Sequence, residues 1–271
     1  MSNKSAMYLK SEEEIECIRR SSLIVSDTLA EIAKILKPGM NGLELDAFAE
    51  EYIKSRGAVP SFKNYRGFPY SLCISVNDAV VHGFPNNRAY KDGDIISVDC
   101  GAFFEGFHGD SAYTFAMGNV KPSTIKLLST TKKSLELGIS RAIVGNRTGD
   151  IAFEIQNVCE SAGYSVVRER VGHGLGRNLH EEPDVPNYGK KGKGVILREN
   201  LVLAIEPMIN EGTKNIVVAS DDWTILTKDG KMSAHFEHTI VVKKDTAIKL
   251  TSFEQIEAAI AKNPALMVVN D

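Results

Sequence analysis

Asp99, Asp110, His173, Glu206 and Glu237 are of types that hold divalent cations, and the four acids among them sit where a charge is costly. Asp99 ends the apolar run Ile95-Ile-Ser-Val, Glu206 ends Leu201-Val-Leu-Ala-Ile, Glu237 precedes His238-Thr-Ile-Val-Val, and Asp110 introduces a further β-rich run, Ser111 to Phe115. A carboxylate beside an apolar strand is expensive to bury unless it is paired or coordinates a metal. Taken singly, each reads as a strand-end acid paired with a nearby Lys or Arg; a matched set points to one shared site. His173 lies in Val171-Gly-His-Gly-Leu-Gly176, where the flanking glycines leave room for a ligand or another backbone. The same segment fails as a dinucleotide loop, because its glycine spacing is not GxGxxG. His180-Glu-Glu-Pro fails as a zinc-protease helix, because the second histidine is missing and Pro183 interrupts the turn. Together the four carboxylates and His173 can balance two dications, with shared carboxylates holding the ions roughly 3.5–4 Å apart and positions left open for water and substrate. That is catalytic rather than structural coordination. Oxygens plus one imidazole, without thiolate, suit Mn, Fe, Co or Zn without choosing among them.

Such a site must be assembled by the elements around it. Ser11 followed by Glu14 is a capping-box signal, and Ile15, Ile18, Val25, Leu29, Ile32 and Leu36 recur at helical spacing until Lys37-Pro-Gly39. A second helix is predicted over 43–56, stopped by Gly57. Short strands are predicted over 72–76, 95–100 and 111–115, separated by turn-rich stretches. The order then repeats: a helix over 123–143, another over 150–162, and a strand over 164–171. At an offset of 106, Gly39, Leu45, Ala49, Tyr52 and Gly57 match Gly145, Ile151, Ile155, Val158 and Gly163. At an offset of 107, the run ending in Asp99 overlays the run ending in Glu206. A duplication accounts for this, and no linker-like segment divides the halves. We therefore expect one domain over 1–271, with a short N-terminal extension over 1–10 and a shared site between its halves.

With 271 residues, 43% of them hydrophobic and 25% charged, the chain can build a core without disulfides or a structural metal. Lys plus Arg is 32 against 35 for Asp plus Glu, a net charge of −3 with no basic block, which argues against dedicated binding of nucleic acid or membrane. Cys17, Cys73, Cys100 and Cys159 are scattered without CxxC spacing, so a reducing compartment is expected. The first ten residues lack an apolar signal core, and no later segment reaches membrane-spanning length; the expected location is cytoplasmic.

The chain also resembles the type I methionine aminopeptidases, over essentially its whole length. The resemblance rests on Ile74-Ser-Val-Asn-Asp-Ala-Val-Val-His82-Gly, Asp94-Ile-Ile-Ser-Val-Asp99, Gly106-Phe-His-Gly-Asp110, Gly172-His-Gly-Leu-Gly-Arg-Asn-Leu-His180-Glu-Glu-Pro, Ile205-Glu-Pro-Met and Phe236-Glu-His-Thr-Ile-Val-Val. It implies the pita-bread fold: an α+β architecture of two pseudo-symmetric helix-helix-strand halves around a curved, largely antiparallel sheet. It implies that Asp99, Asp110, His173, Glu206 and Glu237 hold two divalent ions, with Asp110 and Glu237 bridging. It further implies that Glu206 serves as general base, that His82 and His180 contact the scissile peptide, and that Phe62, Phe68, Cys73 and Trp223 line a methionine pocket. Asn77 and Ser233 resemble a monovalent-cation site, while His108, His235 and His238 match no ligand position and are expected in supporting or surface roles.

The implied reaction removes the N-terminal methionine from nascent proteins whose second residue is small, by a monomer in transient contact with the ribosome. An X-Pro peptidase of the same fold would carry a large extra N-terminal domain. A type II methionine aminopeptidase would carry a helical insertion where only 32 residues separate His173 from Glu206. A non-catalytic pita-bread module that binds peptides or proteins would have lost the ligands.

Overall fold

A computed structural model describes residues 8–269; the expected extension over 1–10 lies outside the described residues up to residue 7. Helix α1, Glu12–Ile35, opens on the predicted capping box. The Ser11 hydroxyl accepts from the Glu14 backbone N–H, and the Glu14 carboxylate accepts from that of Ser11. Its stripe of Ile18, Val25, Leu29 and Ile32 is fully buried against a long hairpin, Ile95–Phe104 with Phe107–Met117. Helix α2, Gly42–Ser55, is capped the same way by Asn41 and Glu44. Helices α3, Pro122–Ile139, and α4, Thr148–Ser161, repeat this pair, and a short α5, Glu254–Ile260, packs on α1.

Among the described residues, the strands form two five-stranded and two three-stranded sheets whose ladders are all antiparallel. In the first half, Ile95–Phe104 pairs with Leu72–Val76 and with Phe107–Met117. In the second, Val202–Ile205 lies between His238–Val242 and Gly172–Gly174. The duplication is visible end for end. Gly42–Ser55 plus 106 is Thr148–Ser161, and Ile95 plus 107 is Val202, where the corresponding strands begin. Gly39 and Gly145 both stand at φ near +90°, a left-handed turn that suits glycine before each helix. One continuous apolar core takes in Leu45 and Ile53 of α2, Leu127 and Leu135 of α3, and Ile151 and Ile155 of α4.

The halves meet along a seam stitched by side chains rather than by a regular ladder. Thr239 Oγ1 donates to the Asp110 carbonyl at 2.7 Å and accepts from the Asp110 N–H at 3.3 Å. Ser111 Oγ donates to the Glu237 carbonyl at 2.7 Å, and the Glu237 N–H donates to Ala112 at 2.9 Å. Thr114 Oγ1 bridges the His235 carbonyl and N–H.

Four sequence expectations need correction. The strands expected over 95–100 and 111–115 run on to Phe104 and start at Phe107, because Glu105 and Gly106, both at positive φ, make the two-residue turn that lets the ladder continue. Asp99 and Asp110 therefore lie within strands, not at their ends. The helix expected over 123–143 stops at Ile139, and Ile143 bridges Lys243 instead. The strand expected over 164–171 is only Ser165–Val166: the chain bends at Arg168 and Glu169, and Gly172–Gly174 joins a different sheet.

Candidate metal centre and substrate pocket

Register explains why the acidic residues converge. Asp99 is opposite Ala112, and Asp110 lies two residues before Ala112, so both side chains leave the hairpin on one face. In the other half, His173 is opposite Ala204 and Glu206 follows two residues later. His238 is opposite Ile205, so the next step of that register brings Glu237 across from Glu206. The seam then sets one group against the other.

His173 Nε2 lies 3.6 Å from Glu206 Oε1 and 4.0 Å from Asp110 Oδ2. One donor atom each from Asp110, His173 and Glu237 fall within 4.8 Å of one another, and all three residues are buried. Asp99 and Glu206 are half-buried on the same cavity wall. Asp99 Oδ1, Asp110 Oδ1 and Glu237 Oε1 are buried and have no hydrogen-bond partner. Burial pushes the Asp99 carboxyl up to about 7. Burial, then mutual repulsion, holds Asp110, Glu206 and Glu237 well above the ordinary carboxylate range. Orphaned acceptor oxygens and acids that resist ionisation together are what divalent cations relieve, so this donor set fits them. His173 suits the same role: burial holds it neutral, and its Nδ1 is 2.9 Å from the Gly174 carbonyl, an arrangement that puts the proton there and frees Nε2.

The cavity that these groups line has a volume of about 140 Å³. Its remaining walls include Phe62, Phe68, Cys73 and Trp223, with His82 and His180 at its opening, so the structure brings all eleven of the expected site residues to one place. The Phe68 ring meets Trp223 edge-on at 5.2 Å and Phe84 at 5.4 Å, which makes that wall rigid as well as apolar. Outside lies a wider vestibule of about 550 Å³ that shares Arg66, His82, His173, His180 and Glu206 with the inner cavity. His82, at φ 58°, is held down to about 4 by burial and by nearby Arg170, and is therefore neutral.

The other histidines are not surface residues. His235 is buried with Nε2 3.8 Å from Glu206 Oε2. His238 is buried, hydrogen-bonded to Thr251 and stacked on Phe253. His108 is half-buried and bonded to Ser61. Asn77 and Ser233 meet through a backbone bond of 2.8 Å, while the Asn77 side chain holds Asp94.

Sequence reasoning passed over several contributors. Tyr65 stacks on His180 and places its hydroxyl 2.9 Å from His180 Nδ1. Leu179 and Arg66 line the cavity, and Asn187 donates to the Glu206 carbonyl at 2.9 Å. Tyr65 and Arg66 fall between Phe62 and Phe68, both expected at the pocket, and Leu179 adjoins His180. Asn187 and Thr239 carry no local signal, since their partners are far away in sequence.

Comparison with known proteins agrees with this geometry. Residues 16–244 match the model of metallopeptidase family M24. The chain is 49% identical over 236 residues to a methionine aminopeptidase of Clostridium perfringens, covering 87% of this chain and 95% of that protein. It is 48% identical over 233 residues to methionine aminopeptidase 1 of Bacillus subtilis, covering 86% and 94%. The crystal structure of methionine aminopeptidase from Thermotoga maritima has a TM-score of 0.89 at 42% identity, covering 91% of this chain and 100% of that one. A prolidase from Pyrococcus horikoshii, 22% identical with a TM-score of 0.74, shares the fold; this chain spans only 64% of it. From the breadth of the family match and from relatives nearly half identical over almost their full length, it follows that the chain belongs to metallopeptidase family M24, within its pita-bread methionine aminopeptidases.

Proposed function

We propose that the chain, as a single catalytic domain, hydrolyses the first peptide bond of polypeptides that begin with methionine and carry a small second residue. The observation that carries this reading is the junction of two chemistries in one cavity: a carboxylate-imidazole cluster with orphaned buried oxygens, and an adjoining aromatic wall of side-chain size. Asp99, Asp110, His173, Glu206 and Glu237 would hold two divalent ions, drawn from Mn, Fe, Co or Zn. When bound, such ions supply Lewis-acid polarisation of the scissile carbonyl and a water acidic enough to lose its proton near neutrality.

The chain's own residues do the rest. Phe62, Phe68 and Trp223 receive the thioether side chain, which favours ring edges and apolar surfaces, and Cys73 closes the floor. Glu206 takes the proton of the attacking water and returns it to the leaving amine. Tyr65 donates to His180 Nδ1, which leaves the proton on Nε2 to meet the developing oxyanion. Neutral His82 positions the peptide nitrogen. The second residue would sit where Arg66, His82, His173, His180 and Glu206 narrow the way out to the vestibule, so Gly, Ala and Ser pass and Lys does not. We read the natural substrates as nascent proteins, met by a monomeric cytoplasmic enzyme in transient contact with the ribosome.

To test this, chelated protein is reloaded with Mn or Co and assayed on Met-Ala-Ser, Ala-Ala-Ser and a Met-Lys peptide. Methionine release from the first alone is expected. Tight binding of peptides without hydrolysis under every metal would indicate a binding module instead.

A further inference from the structure

The residues just before α1 lie against the loop that carries His180. Lys10 Nζ is 2.5 Å from Glu181 Oε2, 171 residues away in sequence, and both side chains are only 4% exposed. The second oxygen of the same carboxylate, Oε1, accepts from the Asn178 N–H at 3.1 Å. One carboxylate thus ties the N-terminal segment to the turn from Asn178 to Glu181, and His180 lies inside that turn. The Lys10 backbone is anchored separately: its N–H donates to the Asn200 carbonyl at 2.9 Å, and Leu9 bridges Leu201, the residue before the strand that leads to Glu206. The lysine stem lies directly over the backbone at Gly176, where any Cβ would overlap it.

We infer that Lys10 is a positioning residue for hydrolysis: through Glu181 it holds the Asn178–Glu181 turn so that the His180 ring stays against the cavity. This rests on the aminopeptidase reading above. A buried ion pair is weak evidence of stabilisation, since apolar replacements of similar volume are often neutral. What this pair supplies is geometry. His180 faces solvent on one side and has Tyr65 as its side-chain hydrogen-bond partner, so its place against the His173 ring, 4.1 Å away, depends on the turn beneath it. Misplacement of such a group by about 1 Å costs on the order of 100-fold in rate.

The test compares wild type, Lys10→Met and the double variant Lys10→Met/Glu181→Met by steady-state hydrolysis of Met-Ala-Ser, by melting temperature, and by hydrogen exchange of the metal-free protein. Lys10→Met is expected to lower kcat about 10- to 100-fold with KM within roughly 2-fold, and to lose protection across residues 177–182. In the double variant neither charge of the pair is left buried alone, so the melting temperature returns to within about 2 °C of wild type. Its kcat stays low, because the acceptor for Asn178 is gone. Recovery of kcat together with stability in the double variant, or unchanged exchange across 177–182 in Lys10→Met, would overturn the positioning role. A wild type that releases no methionine would instead sink the aminopeptidase reading, and the exchange measurement would still decide whether Lys10 holds the turn.

Discussion

Among single residues, the site divides into groups that carry charge and groups that aim them. Glu206 has its backbone carbonyl held by Asn187 at 2.9 Å and carries its carboxylate to within 3.6 Å of the free His173 Nε2, so the backbone pins it where the cluster converges. Glu206→Gln keeps the shape and removes the proposed base; kcat on Met-Ala-Ser should fall about 10³-fold, checked by steady-state assay alongside metal content. Tyr65 lines the cavity and holds His180 by a stacked ring and a 2.9 Å hydrogen bond. Tyr65→Phe keeps the stacked ring but frees the tautomer, and is expected to lower kcat roughly 10-fold while KM stays within about 2-fold.

At the scale of elements, the active face depends on strand register and on the seam. A period of two puts Asp99 and Asp110 on one face of their hairpin, and His173, Glu206 and Glu237 on one face of the second sheet. Thr239 then clamps the Asp110 backbone from the other half at both its N–H and its carbonyl. Thr239→Val leaves two buried backbone groups without that partner and should cost about 1–3 kcal/mol in urea unfolding, with a parallel loss of metal affinity measured by titration calorimetry. A helix-face change far from the seam, such as Leu45→Ala in α2, should cost about 2–5 kcal/mol yet leave metal affinity unchanged. That contrast separates the role of the seam from general packing.

For the whole molecule, the site is a store of electrostatic strain that cations relieve. In the metal-free protein the Asp99 carboxyl stands near 7 in the fold, against about 4 in an unfolded chain. Between those values the folded state binds more protons than the unfolded state, so stability is greatest at the acid end of the window and falls as pH rises through it. Asp110, Glu206 and Glu237, also raised, push in the same direction. Chelated protein should therefore melt lower at pH 8 than at pH 5.5, by at least about 5 °C, and Asp99→Asn should flatten that dependence. Adding Mn at pH 8 should raise the melting temperature of wild type in proportion to the logarithm of its excess over the dissociation constant. Scanning calorimetry at the two pH values with and without the ion reads all three. Among the described residues, no helix is long and apolar enough to cross a membrane, and all four cysteines are free thiols.

Much of this was legible in the chain itself. The capping box at Ser11, the helix-stopping glycines and the repeat at 106 and 107 are local patterns, and local patterns set helix starts and strand periodicity before any packing occurs. Acids beside apolar runs were equally visible, because their burial is costly enough to stand out against composition. Strand length was not: whether the ladder runs on past Cys100 depends on Glu105 and Gly106 turning at positive φ and on a partner strand being there to pair. Nor could periodicity foresee that Arg168 and Glu169 would bend the chain and send Gly172–Gly174 to another sheet. Tyr65, Asn187, Thr239 and Lys10 owe their roles to partners between 19 and 171 residues away. Contacts at that separation leave no trace in neighbouring residues, so only tertiary structure, by closing one half on the other, decides which side chains hold the carboxylates and histidines in place.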